Sequence, residues 1–149
     1  MANRNFNGVQ INQSVTIVEK AGAEIADCRN RAMVYDASGN VILATDGTKP
    51  IVGIALIEAG MNDISGVDSG KVAAGEDVDI QIKDIGFILA GAEITKGTEV
   101  TACADGLGAA AAAGDYVIGI ALDAAAANGY CRIQIVKYQK SGSASADSE

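Results

Sequence analysis

The feature that most limits what this chain can fold into is a repeat. The pentapeptide "VGIAL" at residues 52–56 returns as "IGIAL" at 118–122, 66 positions later. "KAGAEI" at 20–25 returns as "LAGAEI" at 89–94, 69 positions on, and "YDASGN" at 35–40 aligns with "ADGLGA" at 104–109 at that same offset. "VDIQI" at 78–82 returns as "CRIQI" at 131–135, now only 53 positions on, so the first copy carries an insertion, "MNDISGVDSGKVA" at 61–73 or its equivalent. Two copies are too few for an open solenoid, which needs about three stacked repeats. Closure of two similar halves, about 20–83 and 89–138, into one pseudo-symmetric β-barrel or sandwich leaves no exposed sheet edges.

The period of the apolar residues agrees. "VQINQSVTIV" at 9–18 largely alternates, and Val78, Ile80, Ile82 and Cys131, Ile133, Ile135 each share one face of a strand. Turn signals at "DASGN", "TDGT", "AAGED", "TKGT", "ADGLG" and "AANG" punctuate these runs at the short intervals of an all-β fold. The alanines at 109–113 favour helix by propensity, but a five-residue run between Gly108 and Gly114 is too short to hold one. That run reads as a tightly packed strand or turn, and 123–127 as at most one helical turn. The expected organisation is an extended, Asn-rich N-terminal arm (1–12), a single β domain (13–139) and a polar, flexible C-terminal tail (140–149).

The chemistry is sparse. There is no histidine, which removes His-centred triads, His metal sites and the commonest general base. The cysteines Cys28, Cys103 and Cys131 form no CxxC pair and read as reduced, mostly buried thiols. Glu24 and Glu93 occupy equivalent places in the two AGAEI segments, so a duplicated structural role accounts for both. Asp77 and Asp79 share the solvent face of an alternating strand. "ADGLGAAAAAG" lacks the lysine and hydroxyl of a phosphate loop and reads as a hairpin turn. Arg29 and Arg31 would share one face of a strand running from 29 to 35. The net charge of −8, with eleven scattered basic residues, argues against nucleic acid as a partner. No run reaches the roughly 18 apolar residues of a membrane span, and the N-terminus has no signal-peptide core. No cofactor, metal or catalytic residue is expected, and the chain reads as a non-enzyme.

AGAEI, a strand with a D-x-x-G turn, "VGIALIEAG", "VDIQIKDIGFIL", then "AGAEITKGTEV" and "VIGIALDAAAANGYCRIQI" together resemble the small capsid decoration (cement, or head-stabilisation) proteins of tailed bacteriophages. The resemblance runs from about Val9 to Tyr138. It implies a β-barrel-like homotrimer, made in the host bacterial cytoplasm and placed on the outer capsid surface. There it would bind the expanded head and bridge subunits of the major capsid protein. The chain departs from the pattern in its longer N-terminus. An extended arm can add a strand to a capsid edge, which singles out Ala2, Asn3, Arg4, Asn5, Phe6, Asn7, Val9 and Ile11 as capsid-contact residues. The alternative is a receptor- or carbohydrate-binding β-module of a head fibre or adhesin. For that reading Tyr116, Tyr130 and Tyr138 are the candidate cluster, although four Tyr and two Phe are thin provision for an aromatic platform.

Overall fold

Ten strands carry the fold in a computed structural model that describes residues 15–57 and 59–142. They are β1 (Thr16–Lys20), β2 (Ala32–Tyr35), β3 (Val41–Leu43), β4 (Gly53–Ala55) and β5 (Asp77–Gln81) in the first half. The second half holds β6 (Ile85–Leu89), β7 (Glu99–Ala102), β8 (Gly108–Ala110), β9 (Tyr116–Ala121) and β10 (Tyr130–Gln139). Among the described residues the sole helical element is one 3-10 turn, Ala104–Gly106. Alternation sets the faces. β5 buries Val78 and Ile80 and exposes Asp77 and Asp79, while β10 buries Cys131, Ile133 and Ile135 and exposes the residues between them.

The duplication is structural as well as textual. The first antiparallel sheet has the order β1-β5-β4-β2-β3 and the second β6-β10-β9-β7-β8, so adding five to each strand number converts one into the other. The registers repeat too. Ile54 faces Gln81 and Ala55 faces Ile80, as Ile120 faces Gln134 and Ala121 faces Ile133. In each half a parallel bridge, Ala21 to Val41 or Ala90 to Gly108, brings the two edges of the sheet together. An antiparallel bridge, Ile25 to Val72 or Ile94 to Ala125, then pins the far end of the AGAEI segment.

The all-β, two-half architecture therefore stands, but closure occurs inside each half rather than between them. The AGAEI segments make this possible. They cross the end of their own sheet and insert Ala21 and Ile25, or Ala90 and Ile94, into its core. Residues this small and compact fill a barrel of only five short strands. One apolar cluster, including Met33, Val41, Ala55, Val78 and Ile80, fills the first barrel. The cluster that fills the second, including Val100, Ile118, Ala121, Cys131 and Ile133, also takes in Ala32, Val34 and Ile54 from the outer face of the first sheet.

Three local expectations change. The turn after β2 matches at an offset of 67, not 69: Asp36 N donates to Asn40 O as Cys103 N donates to Leu107 O, each at 2.7 Å. The two extra residues lie before β2, where the first half makes a longer turn through Asn30 in the left-handed region (φ 56°) and the second uses Gly97 (φ 87°). Arg29 and Arg31 consequently sit in and just after that turn, ahead of β2, and not on a strand face. The insertion is residues 57–71 between Leu56 and Val72, where the second half has just Asp123 and Ala124 before Ala125. The alanine run behaves as expected, ending β8 and entering a turn at Ala113 and Gly114.

Candidate interaction surfaces

The described residues hold no group of three or more His, Cys, Asp or Glu that could bind a metal. No helix among them is long and apolar enough to cross a membrane. Cys28 is fully buried, and burial pushes its thiol up to about 11. Burial likewise raises Cys103 and Cys131, and none of the three is in a disulfide. Glu24 and Glu93 are both exposed, Glu24 reaching Lys71 only at 3.9 Å. Asp77 pairs with Lys20 at 2.7 Å on the solvent face of β1 and β5.

The turn arginines have structural partners. Arg29 holds Asp27 in a two-pronged contact of 2.9 Å each, which keeps that carboxyl below its usual range. The pair lies against Gly70 and so anchors the base of the insertion. Arg31 Nη1 donates to Asp105 O in the other half at 3.0 Å. Further bonds join the halves: Asn30 Nδ2 to Phe87 O (2.9 Å), Leu89 N to Asn30 O (3.0 Å), Gly106 N to Ala44 O (2.7 Å) and Tyr116 N to Gly47 O (2.8 Å).

What the surface does offer is apolar. The insertion exposes Ile57, Met61, Ile64 and Val67, with Ile64 and Val67 almost wholly in solvent. Its loop is braced by the Asp63 carboxylate, which accepts bonds from the Ser65 amide, the Ser65 hydroxyl and the Asp68 amide. The outer face of β6 and β10 exposes Ile85, Phe87 and Tyr130, with Phe87 opposite Arg132. On the same face of the first half Lys20 and Asp77 stand where the second half has Leu89 and Tyr130, and exposed Val18 stands where it has Phe87. A third feature is an apolar cleft of about 310 Å³ in the first half, lined by Ile17, Tyr35, Pro50, Ile51, Val52 and Ile82. Lys137 closes one side of it, donating to Val52 O at 2.7 Å, with its amine pKa lowered by desolvation.

The sequence-selected residues fare unevenly. Ala2, Asn3, Arg4, Asn5, Phe6, Asn7, Val9 and Ile11 lie outside the described residues, as do 143–149 of the expected tail. Lys140, taken as the start of that tail, is tied down by a salt bridge to Glu99 (3.0 Å) and a bond to Asp115 O (2.8 Å). The tyrosines do not form one platform. Tyr116 and Tyr138 sit at one end of the β9–β10 pair, where Tyr138 bonds Glu99, while Tyr130 starts β10 eight residues away, about 27 Å along a strand. Sequence reasoning missed the insertion as an apolar surface, although Ile64 and Val67 amid "NDISGVDSG" are its visible signal.

The sequence matches no protein-family model and no curated protein. In fold it is similar to the head fiber gp8.5 N base of bacteriophage phi29, with a TM-score of 0.55 and 17% identity. The likeness covers 83% of this chain and 95% of that one. It therefore extends over both halves and shows a shared fold.

Proposed function

We propose that this protein is a structural component of a tailed-phage head. It acts as a decoration protein that seats on the outer surface of the expanded capsid and bridges neighbouring subunits of the major capsid protein. The observation that carries the reading is the fold: two small barrels joined by hydrogen bonds and a shared apolar cluster, in the architecture also found at the base of a phage head fibre. The apolar insertion and the aromatic outer face of β6 and β10 supply contact area that a shell could cover. A homotrimer multiplies such contacts, so weak individual contacts add up to tight occupancy. The reading gives the chain no catalytic role and no cofactor, nucleic-acid or membrane partner.

The fold likeness also favours a second reading, in which the chain is a receptor- or carbohydrate-binding β-module of a head fibre. The dispersed tyrosines speak against a glycan platform on the described surface itself. Co-sedimentation with heads of the phage that encodes the protein tests the first reading. Saturable binding to expanded heads alone supports it, and equal binding to expanded and unexpanded heads, or binding to neither, overturns it. Saturable binding on a glycan array would instead favour the second.

A further inference from the structure

The two barrels are alike in fold and unlike in what covers them. By strand register Ile17 corresponds to Gly86, each opposite the first isoleucine of its I-Q-I strand, and Tyr35 corresponds to Ala102. Pairing of the G-I-A strands makes Pro50, Ile51 and Val52 the counterparts of Tyr116, Val117 and Ile118, and Ile82 that of Ile135. All six barrel-one residues that line the open cleft thus have counterparts at the same mouth of the second barrel. There, Gly86, Ala102, Val117, Ile118 and Ile135 are buried.

Over Gly86, Ala102, Ile118 and Ile135 lies the outer face of the first sheet. Ala32, Val34 and Ile54 join the cluster around Ile118 and Ile135, and the Gln81 side chain lies over Gly86. Gly47 of the adjoining loop packs on Thr101 and Asp115. The first barrel therefore plugs the mouth of the second, and the cleft is the corresponding mouth with no plug among the described residues. The face corresponding to the plug also exists. On the second sheet Glu99, Ile120 and Gln134 stand where Ala32, Ile54 and Gln81 stand on the first, while Thr101, in the place of Val34, is buried beneath Gly47. Gln81 is buried, whereas Gln134 is exposed.

We propose that the cleft lined by Ile17, Tyr35, Pro50, Ile51, Val52 and Ile82 is the docking site for the outer face of the second sheet, around Ile120 and Gln134, of another copy of this chain. The contact repeats between copies the packing that joins the halves within one copy. It is heterologous, so it closes into a ring when the rotation per copy allows. It is also weaker than its intramolecular template. Pro50 stands where Tyr116 donates to Gly47 and has no N–H, and Gln139 and Lys140 already occupy the carbonyls of Gly114 and Ala111. The inference rests on the homotrimer expectation and names the surfaces that make it.

The test uses the full chain in solution, without heads. Because Gln81 covers Gly86, Gln134 of one copy should cover Ile17 of the next. Ile17→Cys and Gln134→Cys variants are mixed and treated with a short bis-maleimide, the parent chain giving the background from native thiols. The expected result is a cross-linked dimer containing one chain of each kind, in large excess over either variant alone. It should also exceed a mixture of Val18→Cys with Gln134→Cys, since Val18 lies on the opposite face of β1. Ile17→Glu, with an unchanged far-UV spectrum, should sediment as a monomer while the parent associates. A parent that sediments as a monomer at every concentration overturns both this inference and the homotrimer. An associated parent with no cross-link between positions 17 and 134 overturns the inference alone. So does an Ile17→Cys thiol that is shielded in the full chain, freed by deleting residues 2–11 and never linked to the Gln134→Cys thiol, because the chain's own arm then fills the cleft. Head co-sedimentation is read separately, so failure of the head reading leaves these outcomes interpretable.

Discussion

Gly53 and Gly119, the glycines of the two repeated pentapeptides, offer the sharpest test of the duplicated architecture. A Cβ built on Gly53 would fall on the carbonyl oxygen of Gln81, and one built on Gly119 on the carbonyl oxygen of Gln134, far inside van der Waals contact. Each obstacle is backbone of the paired strand, so relief requires the ladder between β4 and β5, or between β9 and β10, to open. Overpacking of this kind costs about 2–3 kcal/mol, of which about 0.4–1 kcal/mol returns because alanine restricts the unfolded chain. The net loss for Gly53→Ala or Gly119→Ala is then about 1–2.5 kcal/mol, or roughly 2–10 °C in Tm for a domain of this size. Urea unfolding followed by far-UV circular dichroism reads it. Gly142→Ala is the control, having nothing within 4 Å of the added methyl. The sites lie in separate barrels, so the double variant should sum the two losses to within about 0.5 kcal/mol. Parental stability in either variant, or a large loss in one and none in the other, would refute the argument that both glycines serve one repeated close approach.

Other expectations concern the junction, the insertion and the buried thiol. Asn30→Ala should cost about 1–3 kcal/mol, because it removes the bond to Phe87 O from a buried, left-handed position. Asn30→Gly should cost less, since glycine tolerates that backbone, and urea midpoints of the two separate the contributions. Replacing residues 57–71 by Asp-Ala, the link the second half uses, should leave the far-UV spectrum intact and weaken binding to expanded heads, and loss of folding would show that the insertion is part of the barrel. Cys28 has a folded-state pKa of about 11 against an ordinary 9.0, so the folded state holds its proton more tightly. Its contribution is complete below pH 9 and fades as pH rises towards 11, by about 2–3 kcal/mol at the limit. Urea midpoints from pH 8 to 11 should fall with that profile, and the fall should be flatter in Cys28→Ala.

Much of this architecture could be read from the chain because it rests on local patterns. Alternation in "VDIQI" and "CRIQI" fixes which residues enter the core, and the glycines of VGIAL and IGIAL mark the close strand approaches. The AGAEI copies announced the duplication, but their task of crossing and plugging a barrel end depends on the bridges at Ala21, Ile25, Ala90 and Ile94, which are long-range. For that reason closure within each half was not legible. Arg29 and Arg31 were misplaced because Asn30 can turn left-handed, an option that an alternating pattern does not reveal. The unequal cover of the two barrels was hidden for a different reason. Similar sequences predict similar barrels and cannot say which copy lies on which, so the open cleft at Ile17, Tyr35 and Ile82 emerges only from the packing of the halves.

The proposed seat of this protein is the outside of a phage head. Electron cryomicroscopy of expanded heads incubated with the full chain tests it most directly. Additional density is expected at symmetry-related positions on the outer surface, each fitted by the duplicated barrels and touching more than one capsid subunit. Heads indistinguishable from undecorated ones, or density confined to the interior, would contradict it.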